Sequence, residues 1–325
     1  MDKLCAQTAV WFKNANLNYL PNSKETIMNK LVILVTGASA GIGNLTARSL
    51  AQAGHAVYAS MRDINGRNAP KVRELQDWSF AHGLDVRAVE LDVLSQASAD
   101  AAAAQIIGEQ GRIDVVVHNA GHLVVGPTEA FTPEEMIKVF DTNVLGAQRV
   151  NRAALPYMRE RQSGLLLWVS STTVRGGFPP FMGPYAAAKA AMDSIAVTQS
   201  YELARFGIET SIMVPGAFTH GTDHFPNAGK PADQKTADAY ARYAGLMDQV
   251  GARLSALSPA DADPQAVADE MTRIVNLPAG QRPFRAVVDF IDDGAGAVTD
   301  VAERVREEFA QRIGIDDLLR PTVIA

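Results

Sequence analysis

Short apolar segments alternate with longer helical patterns from residue 31 onward, and this alternation limits the possible folds more than any other feature of the chain. The short segments are rich in Val, Ile and Leu and predict buried strands at residues 31–35, 55–60, 86–91, 113–117, 165–169 and 208–214. Helical patterns lie between them, near residues 45–53, 96–109, 133–160 and 185–205. Strands that alternate with helices in this way form a parallel sheet with helices on both faces. We therefore predict a doubly wound α/β fold.

The domain organisation is simple, because no internal repeat or low-complexity segment interrupts the alternation. We predict one domain over residues 28–325, with a lid near 218–256 and a C-terminal tail near 290–325. Residues 1–27 show no sustained apolar period, and they lack the apolar core and cleavage site of a secretory signal. They predict either an extension upstream of a natural start at Met28 or an arm that packs on the domain or on a neighbouring subunit.

Charge and cysteine content exclude several classes of protein. The 325-residue chain has a formal net charge of −6, which offers no general attraction to nucleic acid or to anionic lipid. No segment approaches the roughly 18–20 uninterrupted apolar residues of a membrane-spanning helix. The single cysteine, Cys5, excludes an intrachain disulfide framework and a cysteine-based zinc site. We expect a cytoplasmic protein that binds neither nucleic acid nor membranes.

A glycine-rich turn, residues 36–43, joins the first strand to the first helix. Gly37, Gly41 and Gly43 lack Cβ atoms, so the turn can adopt unusual backbone angles and admit a pyrophosphate close to its N–H groups. The spacing Gly-x3-Gly-x-Gly differs from the familiar Gly-x-Gly-x-x-Gly fingerprint. Its place between a strand and a helix nevertheless predicts a dinucleotide site and a sheet of the Rossmann type.

The end of the second strand indicates which dinucleotide is bound. An acid there would bind the ribose 2′-hydroxyl of NAD and repel a 2′-phosphate, but Met61 occupies the expected position. Arg62 follows and offers a planar set of donors for a phosphate. Asp63 would take the place of the acid if the register shifted by one residue. The sequence therefore favours NADP(H), with NAD as the alternative.

Tyr185 and Lys189 lie four positions apart at the start of a long Ala-rich helix, so both side chains project from one helical face. An ordinary tyrosine has a pKa of about 10, and a nearby ammonium group would lower that pKa. Such a tyrosine would exchange a proton with a carbonyl oxygen. The strand at 165–169 ends in Ser170-Ser171, at the sheet edge where a serine would hold that oxygen.

Asn143 stands inside the helical pattern near 133–160, although asparagine is a poor helix former. It predicts either a satisfied amide in the core or a kink in the helix that holds a water molecule.

These segments together resemble the short-chain dehydrogenase/reductase family over about residues 30–220. The matching stretches stand in the family's order: Thr36–Gly43, Asp92-Val93, Asn119-Ala120-Gly121, Asn143, Ser171, Tyr185-x3-Lys189 and Pro215-Gly216. His118 departs from the family pattern, because asparagine is usual there. Ser171 lies one position further from Tyr185 than is usual, which leaves Ser170 open as the alternative. The long tail and the Met61-Arg62 pair resemble the hydroxysteroid-dehydrogenase-like branch more than the acyl-carrier-protein reductases.

The resemblance implies roles for individual residues. It implies a catalytic group formed by Asn143, Ser171, Tyr185 and Lys189. It implies a cofactor site that comprises Gly37, Ser39, Gly41, Ile42, Gly43, Arg62, Asp92, Val93, Asn119, Ala120, Gly121, Tyr185, Lys189, Pro215, Gly216, Phe218 and Thr219. It also implies a homo-oligomer, either a dimer or a tetramer.

Apolar residues in two later segments indicate the substrate. The loop near 176–184 carries Phe178, Pro179, Pro180, Phe181 and Met182, and further aromatic residues follow residue 218. They predict the lining of a site for an apolar ketone or secondary alcohol, with a self-packed lid or an oligomer interface as the alternative. His122, His220 and His224 lack the spacing of a zinc motif, so we expect no metal site.

The sequence thus predicts an NADP(H)-preferring oxidoreductase that transfers a hydride between nicotinamide and an apolar ketone or secondary alcohol. A sensor that binds a dinucleotide without chemistry and an acyl-carrier-protein reductase are the alternatives. The charges between residues 300 and 312 predict a solvated helix face.

Overall fold

The computed structural model describes residues 30–218, 221–222 and 224–322, apart from the side chains of residues 247 and 248. The predicted N-terminal extension, residues 1–27, lies outside the described residues. Thr219 and His220 also lie outside them.

Seven parallel strands form one sheet within the described residues, in the order β3-β2-β1-β4-β5-β6-β7. They are β1 Val32–Val35, β2 Ala56–Met61, β3 Val86–Glu90, β4 Val115–His118, β5 Gly164–Val169, β6 Ile208–Pro215 and β7 Arg285–Val288. The strand order changes direction between β1 and β4, and open α/β sheets bind ligands at such a point, beside the carboxyl ends of the strands. The predicted single domain with a doubly wound, Rossmann-type sheet is confirmed.

Helices cover both faces of this sheet. Those described are α1 Gly41–Gln52, α2 Ala69–His82, α3 Gln96–Gln110, α4 Pro133–Phe140, α5 Gly146–Arg161, α6 Gly183–Ala204, α7 Gln234–Ala239, α8 Leu246–Leu257, α9 Gln265–Asn276 and α10 Ala295–Arg312. In the described part of the chain, none combines the length and the apolar character needed to span a bilayer.

An apolar core lies on each face, because successive side chains of a strand point to opposite sides. Val32 and Leu34 of β1 belong to the core that includes residues of α3, α5 and α6. Ile33 and Val35 belong to the core that includes residues of α1, α2 and α9. All four side chains are buried, which explains why β1 is apolar at every position.

The predicted helix near 133–160 is interrupted at Asn143. A π-helical turn, Asp141–Leu145, separates α4 from α5. The buried Asn143 side chain donates from Nδ2 to the carbonyl oxygen of Val139 (2.9 Å), four positions earlier in α4. Turns of this type often occur at functional sites. The sequence left open a satisfied amide in the core or a kink that holds a water molecule; the structure shows a hydrogen-bonded amide within a π-helical turn.

The predicted solvated face over 300–312 is wrong at two positions. Glu303 accepts hydrogen bonds from Arg285 Nε (2.8 Å) and from Arg306 Nε (2.7 Å). The Arg306 guanidinium also lies over the Phe284 ring at 3.9 Å. The side chains of Glu303 and Arg306 are only 19% and 12% exposed, because α10 packs beside β7.

Candidate active site

The glycine-rich turn packs tightly against the end of β4. Gly37 and Gly41 have φ angles of 66° and 55°, which side chains other than glycine rarely adopt. A Cβ on Gly37 would lie 2.8 Å from Ala120 Cα, and one on Gly43 would lie 2.5 Å from the Gly37 carbonyl oxygen. Asn119 Nδ2 donates to the carbonyl oxygens of Thr36 (2.9 Å) and Gly37 (3.1 Å), which ties this turn to β4.

A cavity of about 1130 Å³ lies over this turn and the carboxyl ends of the strands. Every predicted cofactor-binding residue within the described range lines it: Gly37, Ser39, Gly41, Ile42, Gly43, Arg62, Asp92, Val93, Asn119, Ala120, Gly121, Tyr185, Lys189, Pro215, Gly216 and Phe218. The start of α1, with its free N–H groups, belongs to the same wall. These groups suit the pyrophosphate of a dinucleotide.

The loop after β2 places two arginines on this cavity. Arg62 and Arg67 both line it, and in the described part of the chain neither forms a salt bridge. Asp63 adopts a φ of 53°, and its carboxylate accepts from the backbone N–H of Arg67 at 2.8 Å. Met61 fills the position of the acid and is buried. Two arginines therefore border the cavity, while the nearby Asp63 carboxylate accepts from its own turn.

Ser171, Tyr185 and Lys189 meet on the wall of this cavity. Ser171 follows β5, whereas Tyr185 and Lys189 lie one turn apart at the start of α6. Lys189 Nζ donates to the Val169 carbonyl oxygen at 2.8 Å and lies 6.0 Å from the centre of the Tyr185 ring. The three predicted residues are thus brought together by one strand end and one helix.

Burial sets the pKa values of this group, and the predicted lowering of the Tyr185 pKa by Lys189 is not found in the protein alone. Burial raises the pKa of Tyr185 to about 12, although a hydrogen bond from the Ser171 side chain acts in the opposite direction. Burial also lowers the pKa of Lys189 to about 8. In the protein alone, Tyr185 therefore holds its proton at neutral pH, and a change of charge nearby would readily alter the protonation of Lys189.

The two serines after β5 have different partners. Ser170 Oγ donates to the buried Asp193 carboxylate at 2.9 Å. Ser171 Oγ accepts from Thr173 N (3.2 Å) and Thr173 Oγ1 (2.9 Å). Both serines border the cavity, but only the Ser171 side chain acts to lower the pKa of Tyr185.

Asn143 lies behind this cavity rather than on its wall. Its Oδ1 accepts from the His122 N–H (3.2 Å), and its Nδ2 donates to the His122 carbonyl oxygen (3.0 Å). A Cβ on Gly121 would lie 2.8 Å from Asn143 Oδ1. Asn143 therefore fixes the segment 121–122 that borders the site.

The His118 side chain does not line the cavity, so a histidine instead of the asparagine usual in the family leaves the wall of the site unchanged. Its Nε2 bonds Asn151 Oδ1 at 2.7 Å, and its ring lies 4.4 Å from the ring of Trp168. Burial lowers its pKa to about 4, with the Asn151 hydrogen bond acting in the opposite direction. The side chain is therefore a neutral part of the core.

The predicted substrate segments border the same cavity. His224 lies edge to face against Tyr185, with ring centres 5.6 Å apart, and Met182 and Phe225 also line the space. Phe178 lines it as well but is 66% exposed.

The sequence did not identify Arg67 or Asp193. A second arginine five positions after Arg62 was the available signal for Arg67.

The chain is similar to proteins of known type over most of its length. The sequence model of a family described as short chain dehydrogenase matches residues 31–231. A 3-ketodihydrosphingosine reductase from Bacteroides thetaiotaomicron is 33% identical over 224 residues, which are 68% of this chain and 77% of that protein. The 17-beta-hydroxysteroid dehydrogenase type 1 of Mus musculus is 33% identical over 260 residues, 77% of this chain and 72% of that protein. An actinorhodin polyketide ketoreductase with NADPH matches with a TM-score of 0.66 and 26% identity, covering 83% of this chain and 98% of that one.

Proposed function

Because the chain belongs to the short-chain dehydrogenase family, we propose that it is an NADP(H)-preferring oxidoreductase that interconverts an apolar ketone and its secondary alcohol. The observation that carries the proposal is the meeting of Ser171, Tyr185 and Lys189 in the cavity that also contains the glycine-rich turn. Two relatives bear names of enzymes that act at keto or hydroxy groups, which supports this reaction class.

The side chains on the cavity wall would handle the proton. When bound, the nicotinamide cofactor would supply a hydride to the carbonyl carbon or accept one in reverse. Tyr185, with a pKa of about 12, keeps its proton at neutral pH and would donate it to the carbonyl oxygen. Ser171 Oγ already accepts two hydrogen bonds from Thr173, so its own hydrogen is free for Tyr185 or for the substrate oxygen.

Lys189 would stabilise the tyrosine once the proton has left. A phenolate at Tyr185 would favour the charged form of Lys189, because opposite charges at close range raise the pKa of the amine and lower that of the phenol. The Val169 carbonyl oxygen holds the amine in place at 2.8 Å. Asn143 would act as a positioning residue through its two hydrogen bonds to His122.

The preference for NADP(H) is supported by the loop after β2. Arg62 and Arg67 offer two guanidinium groups to a 2′-phosphate, and Asp63 is engaged by the backbone of its own turn. The similar ketoreductase structure contains NADPH. The apolar lining near Met182 and Phe225 supports an apolar substrate. A cytoplasmic location is a further proposal that rests on the single cysteine, and a dimeric or tetrameric state is one that rests on the family alone.

The first experiment measures NADPH oxidation with a panel of apolar and aromatic ketones, with NADH in parallel. We expect turnover with NADPH that Tyr185→Phe abolishes, while NADPH affinity changes by less than about threefold. Ser171→Ala should lower kcat by at least about a hundredfold, as the loss of a catalytic group does. Ser170→Ala is the matched control and should lose much less.

Two results would reject the proposal in different ways. Turnover by Tyr185→Phe near the wild-type rate would reject the mechanism. Tight NADPH binding without turnover of any ketone or alcohol would favour the sensor alternative instead.

A further inference from the structure

A second cavity of about 1090 Å³ adjoins the one that contains Tyr185. It lies between the substrate loop, the segment after β4, and helices α7 and α8. Some residues line both cavities: Pro179, Met182, Phe225, Val250 and Leu254. The two spaces are therefore separated by no more than this set of apolar side chains.

The walls of the second cavity are fixed by specific contacts. Val125 N donates to the Gly229 carbonyl oxygen (2.8 Å), and Gly229 N donates to that of Leu123 (2.9 Å). Tyr240, at the end of α7, donates its hydroxyl hydrogen to Glu129 at 2.7 Å. These bonds attach the lid segment to the body of the domain on both sides of the space.

The lining of the second cavity is mostly apolar. The Phe181 and Tyr243 rings meet edge to face across it, with centres 6.2 Å apart. Phe181 adopts a φ of 66°, a conformation that bulky side chains rarely take and that is often retained where a ring must be aimed at a site. Among the described lining residues, only Lys230 and Asp238 carry charge, and both are exposed to solvent. The lining of the cavity is thus mostly apolar, and its two charged side chains lie where solvent reaches them.

We propose that the second cavity holds an extended apolar chain of the substrate while its reacting carbon lies at Tyr185. This inference rests on the proposed function and names its substrate class: ketones or secondary alcohols that carry a long, flexible apolar chain. The chain would pass Met182 and Leu254, and an unbranched methionine adapts readily to such a chain. A substrate that ends in the first cavity would leave the apolar surface of the second in water.

The test compares a homologous series of methyl ketones of increasing chain length with NADPH as reductant. Each methylene buried in the second cavity should raise kcat/KM by up to about fourfold, which corresponds to about 0.8 kcal/mol. The increase should stop when the chain is longer than the second cavity, because further methylenes remain in water.

Variants on α7 separate the second cavity from general effects on the enzyme. Ala237 lines the cavity, so Ala237→Trp should fill it and lower the ratio of kcat/KM for the longest and shortest ketones at least tenfold. Ala239, on the same helix, is exposed and lines neither cavity, so Ala239→Trp should leave that ratio unchanged. Ala241→Trp, also on the lining, replaces Ala237→Trp if that variant does not fold.

Calorimetric titration of a long-chain secondary alcohol into the NADP⁺-loaded enzyme gives a readout that does not need turnover. We expect kcat/KM to rise with the chain length of the ketone in the wild type and in Ala239→Trp, but not in Ala237→Trp. Turnover that is independent of chain length would overturn the inference and leave the proposed function intact. If no ketone is turned over, the proposed function fails, and binding of the alcohol that Ala237→Trp does not weaken would overturn the inference as well.

Discussion

The ion pair between Asp193 and Arg285 is the most completely buried charge interaction in the described part of the chain. Arg285 donates two hydrogen bonds to the carboxylate, at 2.6 and 2.7 Å, and the two side chains are 2% and 3% exposed. Asp193 also accepts from Ser170, next to Ser171, while Arg285 reaches Glu303 of α10. This network joins the helix that carries Tyr185 to β7 and to the C-terminal helix.

Removing Arg285 would leave a buried carboxylate with weaker partners. In Arg285→Met, Asp193 would retain Ser170 and the longer contact to Arg175 at 3.4 Å. Breaking a buried ion pair by removing one partner costs about 3–5 kcal/mol. With an unfolding entropy near 2.1 cal/mol/K per residue over roughly 300 residues, this corresponds to a fall in Tm of roughly 5–8 °C.

Thermal unfolding by calorimetry measures this effect, and an exposed pair provides the control. Arg205 bonds Asp317 at 2.9 Å, but these side chains are 72% and 56% exposed. Exposed pairs contribute about 0–1 kcal/mol, so Arg205→Met should lower Tm by no more than roughly 2 °C. Equal shifts for Arg285→Met and Arg205→Met would refute the reasoning.

The pH dependence provides an independent check of the same pair. Burial alone would raise the pKa of Asp193, but the hydrogen bonds and the charge of Arg285 outweigh it and lower that pKa overall. A lowered pKa in the folded state contributes stability above the unfolded pKa of about 4, and the contribution disappears as pH falls through the folded value. Without Arg285, burial is opposed only by Ser170 and Arg175, so the pKa of Asp193 is higher in Arg285→Met than in wild type. The difference in Tm should therefore be greatest near pH 8 and should shrink as pH falls through the pKa of Asp193 in the variant. A difference that grows toward acid pH would contradict this assignment.

Three further predictions follow from single sites. Arg62→Ala should weaken NADPH binding at least tenfold more than NADH binding, whereas Arg73→Ala, on the exposed side of α2, should affect the binding of neither cofactor. Equal losses of NADPH and NADH affinity in Arg62→Ala would exclude phosphate recognition by Arg62. Gly43→Ala should weaken dinucleotide binding at least tenfold in fluorescence titrations, because the new Cβ would press on the Gly37 carbonyl oxygen. Gly108 in α3 has open space around it, so Gly108→Ala should raise Tm slightly through the better helix propensity of alanine. Because the pKa of His118 is lowered to about 4, the free energy of unfolding should fall by about 3 kcal/mol as pH falls from 6.5 to 4. Urea titrations of His118→Asn should show a weaker dependence of that free energy on pH, and an unchanged dependence would show that His118 does not cause it.

Features that depend only on residues close together in the sequence could be predicted from the sequence. The glycine-rich turn, the end of β2 and the Tyr185–Lys189 spacing are each set within about eight residues, and their resemblance to the short-chain dehydrogenase family is confirmed. Six of the strands are apolar enough to be recognised without knowledge of their partners.

Elements with weak local signals were missed. Helix α2 buries only Leu75, so its sequence shows no continuous apolar stripe. Strand β7 has four residues, all half-buried, at the edge of the sheet. Its strand identity comes from pairing with β6, in the register that places Ile212 beside Arg285, and this pairing joins segments 73 positions apart.

The burial of charge is the property that local reasoning was least able to recover. Asp193 follows Tyr185 by two helical turns and resembles any solvated acid, and Glu303 and Arg306 have the spacing of a surface pair on α10. Asp193 and Glu303 share a partner in Arg285, which is separated from Asp193 by 92 positions and becomes a neighbour only when β7 joins the sheet. A buried charge is stable only when its partner is in place, so the C-terminal helix and the helix of Tyr185 depend on each other for stability. The C-terminal tail is therefore part of the framework that holds the candidate active site.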